Sequence, residues 1–204
     1  MSRPAVGGPA VGGRVVGVWA RPAVDDVALA AAMLEDVVDM VAAMEQVEAA
    51  IVAGPAYAEA AADVAWPGMP ILPIGDDAVV ADALDALADA GADVAAVVVP
   101  DAPDLPPLLL GKLFSALTST SVAVCPADGG GLVAVAVTCP VPAWLRDAGL
   151  SLDAADSLSR LRSAAPPRGL HVGPGWHRVR SADDVRRLDP GLEGWDATRA
   201  LLDG

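Results

Sequence analysis

The segment Val94-Ala95-Ala96-Val97-Val98-Val99-Pro100-Asp101-Ala102-Pro103-Asp104 constrains this chain more than any other. Val94–Val99 places β-branched side chains on both faces, the pattern of a strand buried on both sides. Such strands lie inside parallel α/β sheets, and the ligands of those sheets gather beyond the strands' carboxyl ends. Here that end carries two carboxylates, Asp101 and Asp104, held between prolines. Two acids so placed suit a hard divalent cation, and a cation there suits a nucleotide phosphate. The plain structural alternative is a loop acid followed by a helix cap, with Asp104 ahead of Leu105-Pro106-Pro107.

The flanking sequence alternates strand and helix. Arg14–Ala20 reads as a first strand, and Asp25-Asp26 opens a helix reaching about Glu45. A second strand covers 48–53, a short Ala-rich helix 57–64, and a Pro-interrupted third strand 69–74, suited to an edge. Residues 77–90 predict an amphipathic helix with Val80, Leu84 and Leu87 inward and Gly91 as its stop. Another helix covers 107–118. Ser121–Cys125 and Leu132–Thr138 read as strands, and their glycine-rich connection is too short for a parallel crossover, so they pair antiparallel. Two helices over 142–148 and 154–165 and a short strand at 169–172 follow. A capping box at Ser181–Asp184 opens a helix to Leu188, and Trp195–Leu202 reads as a terminal turn or two. The expected architecture is three-layer α/β/α: a mixed, mostly parallel sheet with helices on both faces. Residues 14–204 read as a single domain and 1–13 as a flexible Gly/Pro/Ala-rich tail. No GxGxxG dinucleotide fingerprint follows the first strand, where Ala20-Arg21-Pro22 stands instead.

Hydrophobic residues make up 54% of the chain but aromatics only 3%, so the core must be built mainly from Ala, Val and Leu. No apolar run approaches the ~20 residues that cross a bilayer. The first residues also lack the apolar stretch of a signal peptide, so the expected location is cytoplasmic, with no membrane partner. The net charge is -14, and no Lys or Arg occurs between Arg21 and Lys112. A nucleic-acid face needs clustered cations, and the later arginines are interleaved with aspartates, so nucleic acid is not an expected partner. A homo-oligomer stays open. Cys125 and Cys139 flank the predicted hairpin and could face each other; two buried thiols are the simpler reading and a disulfide the alternative. His171 and His177 lack a third ligand for zinc. Trp176, beside His177 and Arg178, is either packed or able to stack on a base or sugar.

From Val97 to Val137 the chain resembles nucleotide-diphospho-sugar transferase domains of the glycosyltransferase-A (GT-A) type. It is most similar to the small bacterial GT-A proteins related to 2-phospho-L-lactate guanylyltransferase. Those proteins have an apolar strand, D-x-P-D-L, a helix, a strand ending in P-A-x-D-G-G, and a strand of small apolar residues. This chain has Asp101-Ala102-Pro103-Asp104-Leu105, then Pro126-Ala127-Asp128-Gly129-Gly130, then Leu132–Val137. Weaker matches lie at Trp19-Ala20-Arg21, where relatives have F-A-K, and at Met33-Leu34-Glu35-Asp36. The resemblance implies a nucleotide or nucleotide-sugar as partner. It also implies a Mg²⁺ or Mn²⁺ site at Asp101 and Asp104, as metal-holding and catalytic residues. Arg21 would meet phosphate, and the Asp128-Gly129-Gly130 turn would approach the substrate.

Two departures stand against catalysis. Relatives carry a Gly-x-x-K-T-R loop after the first strand, whose cations meet the triphosphate; here the loop reads Pro22-Ala23-Val24-Asp25-Asp26-Val27. Relatives also have a late D-V-D-T segment that contributes a metal ligand, and the aligned residues here are Arg178-Val179-Arg180-Ser181. A guanidinium accepts no coordination and repels a cation. Arg178 or Arg180 would instead replace the metal by pairing with phosphate or with Asp104. Two functions are therefore expected in competition: a GT-A nucleotidyl- or glycosyltransferase with a diverged site, or an inactive homologue that serves as a binding or scaffold protein.

Overall fold

The computed structural model describes residues 13–21 and 24–204. All but the last residue of the expected tail lies outside them, as do Pro22 and Ala23. Seven strands form one sheet in the order β3-β2-β1-β4-β6-β5-β7. They are β1 (Arg14–Ala20), β2 (Glu48–Ala53), β3 (Ile71–Pro73), β4 (Val94–Val98), β5 (Val122–Pro126), β6 (Leu132–Thr138) and β7 (Leu170–Val172). β1, β2, β3 and β4 pair in parallel, and so do β5 and β7. β6 runs antiparallel to both its neighbours, so the short glycine connection does produce the expected hairpin. β3 is an edge strand, as its prolines require.

The helices are α1 (Val27–Ala42), α2 (Ala58–Val64), α3 (Val80–Asp89), α4 (Pro107–Ala116), α5 (Ala143–Asp147), α6 (Ser157–Ala164) and α7 (Asp196–Asp203). They cover both faces of the sheet, which gives the expected three-layer arrangement. Asp26 caps α1, its Oδ1 accepting from Leu29 N at 3.1 Å. In α3, Val80, Leu84 and Leu87 are fully buried, as the periodicity predicts. β4 is almost wholly sealed, with Ala95 to Val99 at 0% exposure. A core this poor in rings closes by bringing backbones near one another. A Cβ on Gly17, in the middle of β1, would lie 2.7 Å from Val52 Cγ2 and 3.1 Å from Leu87 Cδ1. Gly17 therefore lets α3 settle on the sheet.

Three expectations are corrected. Ser181–Leu188 does not form a capped α-helix: Ala182–Arg187 is a 3-10 turn, because the Ser181 hydroxyl donates to Asp184 Oδ2 rather than capping. Asp104 does not cap α4, whose N-cap is Pro106; its oxygens are engaged elsewhere. Cys125 and Cys139 do not face each other. Cys125 lies opposite Ala134 near the hairpin turn, whereas Cys139 follows β6 at the other end, its N–H donating to Asp93. Both thiols are free, Cys125 buried and Cys139 half-buried.

The C-terminal helix is held by a tertiary cap. Asp36, buried in α1, accepts from Ala197 N at 2.9 Å and Thr198 N at 2.8 Å, the open N-terminus of α7. Asp36→Ala should cost about 1–3 kcal/mol, since it leaves those donors without an acceptor. Urea unfolding measures the loss, and hydrogen exchange should speed up first in α7.

Candidate functional site

β1, β2 and β4 all end at the same edge of the sheet, and the chain returns there after β7 as the segment Trp176–Arg180. Val179 N donates to Asp101 O at 2.7 Å, which lays that segment along the end of β4. The side chains of consecutive residues then reach two different aspartates. Arg178 takes Asp101: Nε donates to Oδ1 and Nη2 to Oδ2, both at 2.7 Å. Its Nη1 donates to the carbonyls of Leu132 at 3.2 Å and Leu152 at 3.1 Å, and Nη2 also reaches Asp153 Oδ1 at 2.8 Å. All five N–H donors of the guanidinium are thereby satisfied. Asp101 and Arg178 are 1% and 4% exposed, so they form a buried bidentate pair.

Asp104 is engaged separately. Trp176 Nε1 donates to its Oδ1 at 3.0 Å, and Asp189 N donates to Oδ2 at 2.9 Å. His177 Nε2 lies 3.0 Å from Oδ2, off the direction of a hydrogen bond. The Trp176 ring stacks on His177, with centroids 4.9 Å apart. The expected pairing of Arg178 or Arg180 with Asp104 is therefore replaced by pairing of Arg178 with Asp101.

Arg21, just beyond β1, pairs with Asp153 Oδ2 and lies with its guanidinium 5.2 Å from the Trp19 ring centroid. Burial first, and then the nearby Arg178 and Arg180 cations, hold Arg21 below the usual arginine range, against an upward pull from Asp101. Burial and Arg178 likewise lower Arg180. Arg21 and Arg178 thus meet on the Asp153 carboxylate, with the Arg180 charge acting on Arg21 from nearby. Arg180 Nη2 donates to Gly130 O at 3.1 Å, so the glycine turn anchors an arginine. Gly129, Gly130 and Gly131 all have positive φ, which fits this turn to glycine. Asp128 pairs at the surface with Arg187 at 2.9 Å.

Beside this cluster lies a cleft of about 600 Å³, lined by Trp19, Arg21, Gly54, Tyr57, Asp76, Asp77 and Ser151 among others. It opens at the ends of β1 and β2, next to the place where the strand order reverses between β1 and β4. A second cleft of about 480 Å³ has Asp25 and Asp26 on one wall and Arg180 and Ser181 on the other. Sequence reasoning missed Asp153, which joins Arg21 to Arg178; nothing in its surroundings, Leu152-Asp153-Ala154, marks it out.

A divalent cation does not fit the carboxylates as they stand. Magnesium and manganese need free oxygen donors, and Mg²⁺ wants near-octahedral geometry. Both oxygens of Asp101 are held by the Arg178 guanidinium, whose positive charge repels a cation, which leaves Asp104 as a single carboxylate. Among the described residues, no three His, Cys, Asp or Glu side chains gather as a metal site.

This sheet order, with the cleft at its carboxyl edge, defines the nucleotide-diphospho-sugar transferase fold of GT-A type, and solved structures agree. A protein provisionally classed as a nucleotide-diphospho-sugar transferase from Desulfovibrio desulfuricans G20 superposes with a TM-score of 0.67 at 15% identity, over 93% of this chain and 95% of that one. Rv0371c from Mycobacterium tuberculosis H37Rv, in complex with manganese, gives 0.57 at 20% identity, over 88% and 100%. CMP:2-keto-3-deoxy-manno-octonic acid synthetase, complexed with CTP, gives 0.57 at 12% identity, over 94% and 98%. The chain belongs to the DUF2064 family, described as an uncharacterized protein conserved in bacteria, which it matches over residues 37–151. No curated protein matches the sequence. Among the described residues, no helix is long and apolar enough to cross a membrane.

Removing one partner of the buried pair leaves an uncompensated charge inside the protein. Asp101→Ala should destabilise the fold by about 3–5 kcal/mol in urea unfolding. Asp101→Leu with Arg178→Met should cost much less than the sum of the single changes.

Proposed function

We propose that this chain binds a nucleotide or nucleotide-sugar at the carboxyl edge of its sheet without a divalent cation, and that it does not carry out metal-assisted transfer. The carrying observation is the bidentate pairing of Arg178 with Asp101. A guanidinium occupies both oxygens of Asp101, one of the two carboxylates expected to hold a metal, so a fixed cation of the protein stands in for the mobile one. Fold relatives support the ligand class, since one is a CTP complex and one is classed as acting on nucleotide-diphospho-sugars. The manganese complex of another neighbour marks the contrast.

In this reading the nucleoside lies in the cleft formed by Trp19, Tyr57, Asp76 and Asp77. The carboxylates there suit ribose hydroxyls or base amino groups and disfavour phosphate. Phosphates point toward Arg21 and Arg178, which share the Asp153 carboxylate, and toward the neighbouring Arg180. Asp104 keeps the Trp176–Arg180 segment in register, and the Asp128-Gly129-Gly130 turn supports Arg180. Arginine suits this task because its fork of donors matches phosphate oxygens. Transfer chemistry needs charge neutralised on a departing diphosphate as well as bound in the ground state. Asp25 and Asp26, where relatives carry cations, supply the wrong sign for that.

The test is a melting-temperature screen with nucleoside triphosphates and sugar nucleotides, each with Mn²⁺ and with chelator. At least one ligand should raise the melting temperature by about 3 °C or more, equally in chelator. A shift that appears only with Mn²⁺, or turnover of a nucleotide-sugar that Asp104→Ala abolishes, would overturn the proposal.

A further inference from the structure

The phosphate seat of the proposed cleft already contains an anion, the side chain of Asp153. One carboxylate oxygen pairs with Arg21 and the other with Arg178 Nη2, so the carboxylate bridges two guanidiniums as a phosphate would. Arg180 lies near the Asp153 main chain, since a Cβ on Gly131 would lie 2.8 Å from Arg180 Nη2 and 3.4 Å from the Asp153 carbonyl carbon. The two acidic partners of Arg178 differ in kind. Asp101 is buried and fixed at the end of β4, whereas the Asp153 side chain is 44% exposed.

Asp153 also stands on the irregular connection between α5 and α6 rather than on a strand. The connection is pinned before it by the buried Leu150 and Leu152 and after it by Ser157, whose hydroxyl donates to Ser151 O at 2.6 Å. The side chain can therefore swing out while the loop stays in place. Four of the five donors of Arg178 keep their acceptors when it does.

We propose that Asp153 is an internal plug of this anion seat, displaced by the diphosphate of an incoming ligand. The exchange is anion for anion: phosphoryl oxygens take over the donors of Arg21 and Arg178, and the Asp153 carboxylate moves to water. This rests on the phosphate placement argued above and adds that the protein competes with its own ligand. A carboxylate built into the site lowers apparent affinity by the fraction of molecules in which the seat is closed. It also selects against weakly held single phosphates in favour of ligands with a second anchor in the cleft.

Calorimetric titration with inorganic pyrophosphate and with a nucleoside diphosphate, both in chelator, tests the plug. Asp153→Asn should bind pyrophosphate about 10-fold more tightly than the wild type. Asp156→Asn, which removes the same charge from a neighbouring exposed position, should leave affinity near the wild-type value. Adding Arg21→Gln to Asp153→Asn should abolish the gain. Equal pyrophosphate affinity in wild type and Asp153→Asn, an equal gain in Asp156→Asn, or no binding by any of them overturns the plug. Chelator-resistant binding of the nucleoside diphosphate that Asp153→Asn does not alter overturns it as well, while leaving the metal-free cleft standing. Binding that appears only when Mn²⁺ is restored strikes the cleft reading itself.

Discussion

The pair between Arg178 and Asp101 organises the carboxyl edge of the molecule. Burying a guanidinium costs several kcal/mol unless its charge and its donors are met. Meeting them draws together the end of β4, the start of β6, the α5–α6 connection and the segment after β7. That segment brings Val179 with it, whose side chain packs with Leu29, Met33, Leu188 and Trp195 in a small cluster apart from the main core. α7 adds the Asp36 cap to the same region. The late arginines of the sequence therefore act largely as tertiary partners. Arg146 reaches Asp85, Arg187 reaches Asp128, and Arg178 closes the site.

The same pair separates fold from chemistry. The mouth of β4 carries two aspartates, and the protein itself engages both. Asp101 meets a fixed cation, while Asp104 meets an indole N–H, a backbone N–H and a histidine. Both carboxylates now hold the C-terminal segment in place. Next to that pair, Arg21 and Arg178 share the Asp153 carboxylate.

Much of the fold was legible because it depends on local pattern. The sealed run Val94–Val99, the alternation of strands and helices, and the glycine connection before Leu132 each state their outcome within a few residues. Val80, Leu84 and Leu87 declared the inner face of α3 by spacing alone. Errors fell where the spacing of residues was read without the geometry of their bonds. Ser181-Ala182-Asp183-Asp184 looks like a capping box, but the hydroxyl and Arg180 N both chose the Asp184 carboxylate. Cys125 and Cys139 looked like partners because a hairpin joins them, yet they stand at its opposite ends.

By itself the sequence determined the layers, the antiparallel excursion at β6, the edge position of β3 and the presence of two acids at the mouth of the central strand. Hydrophobic period, proline and glycine act over a few residues, so they can be read without a partner. Only the tertiary structure decided that Arg178 would take Asp101 rather than Asp104, and that Asp153 would bridge Arg178 to Arg21. Those contacts join residues far apart in the chain. An ion pair is chosen by distance and desolvation in the folded interior, and sequence spacing encodes neither.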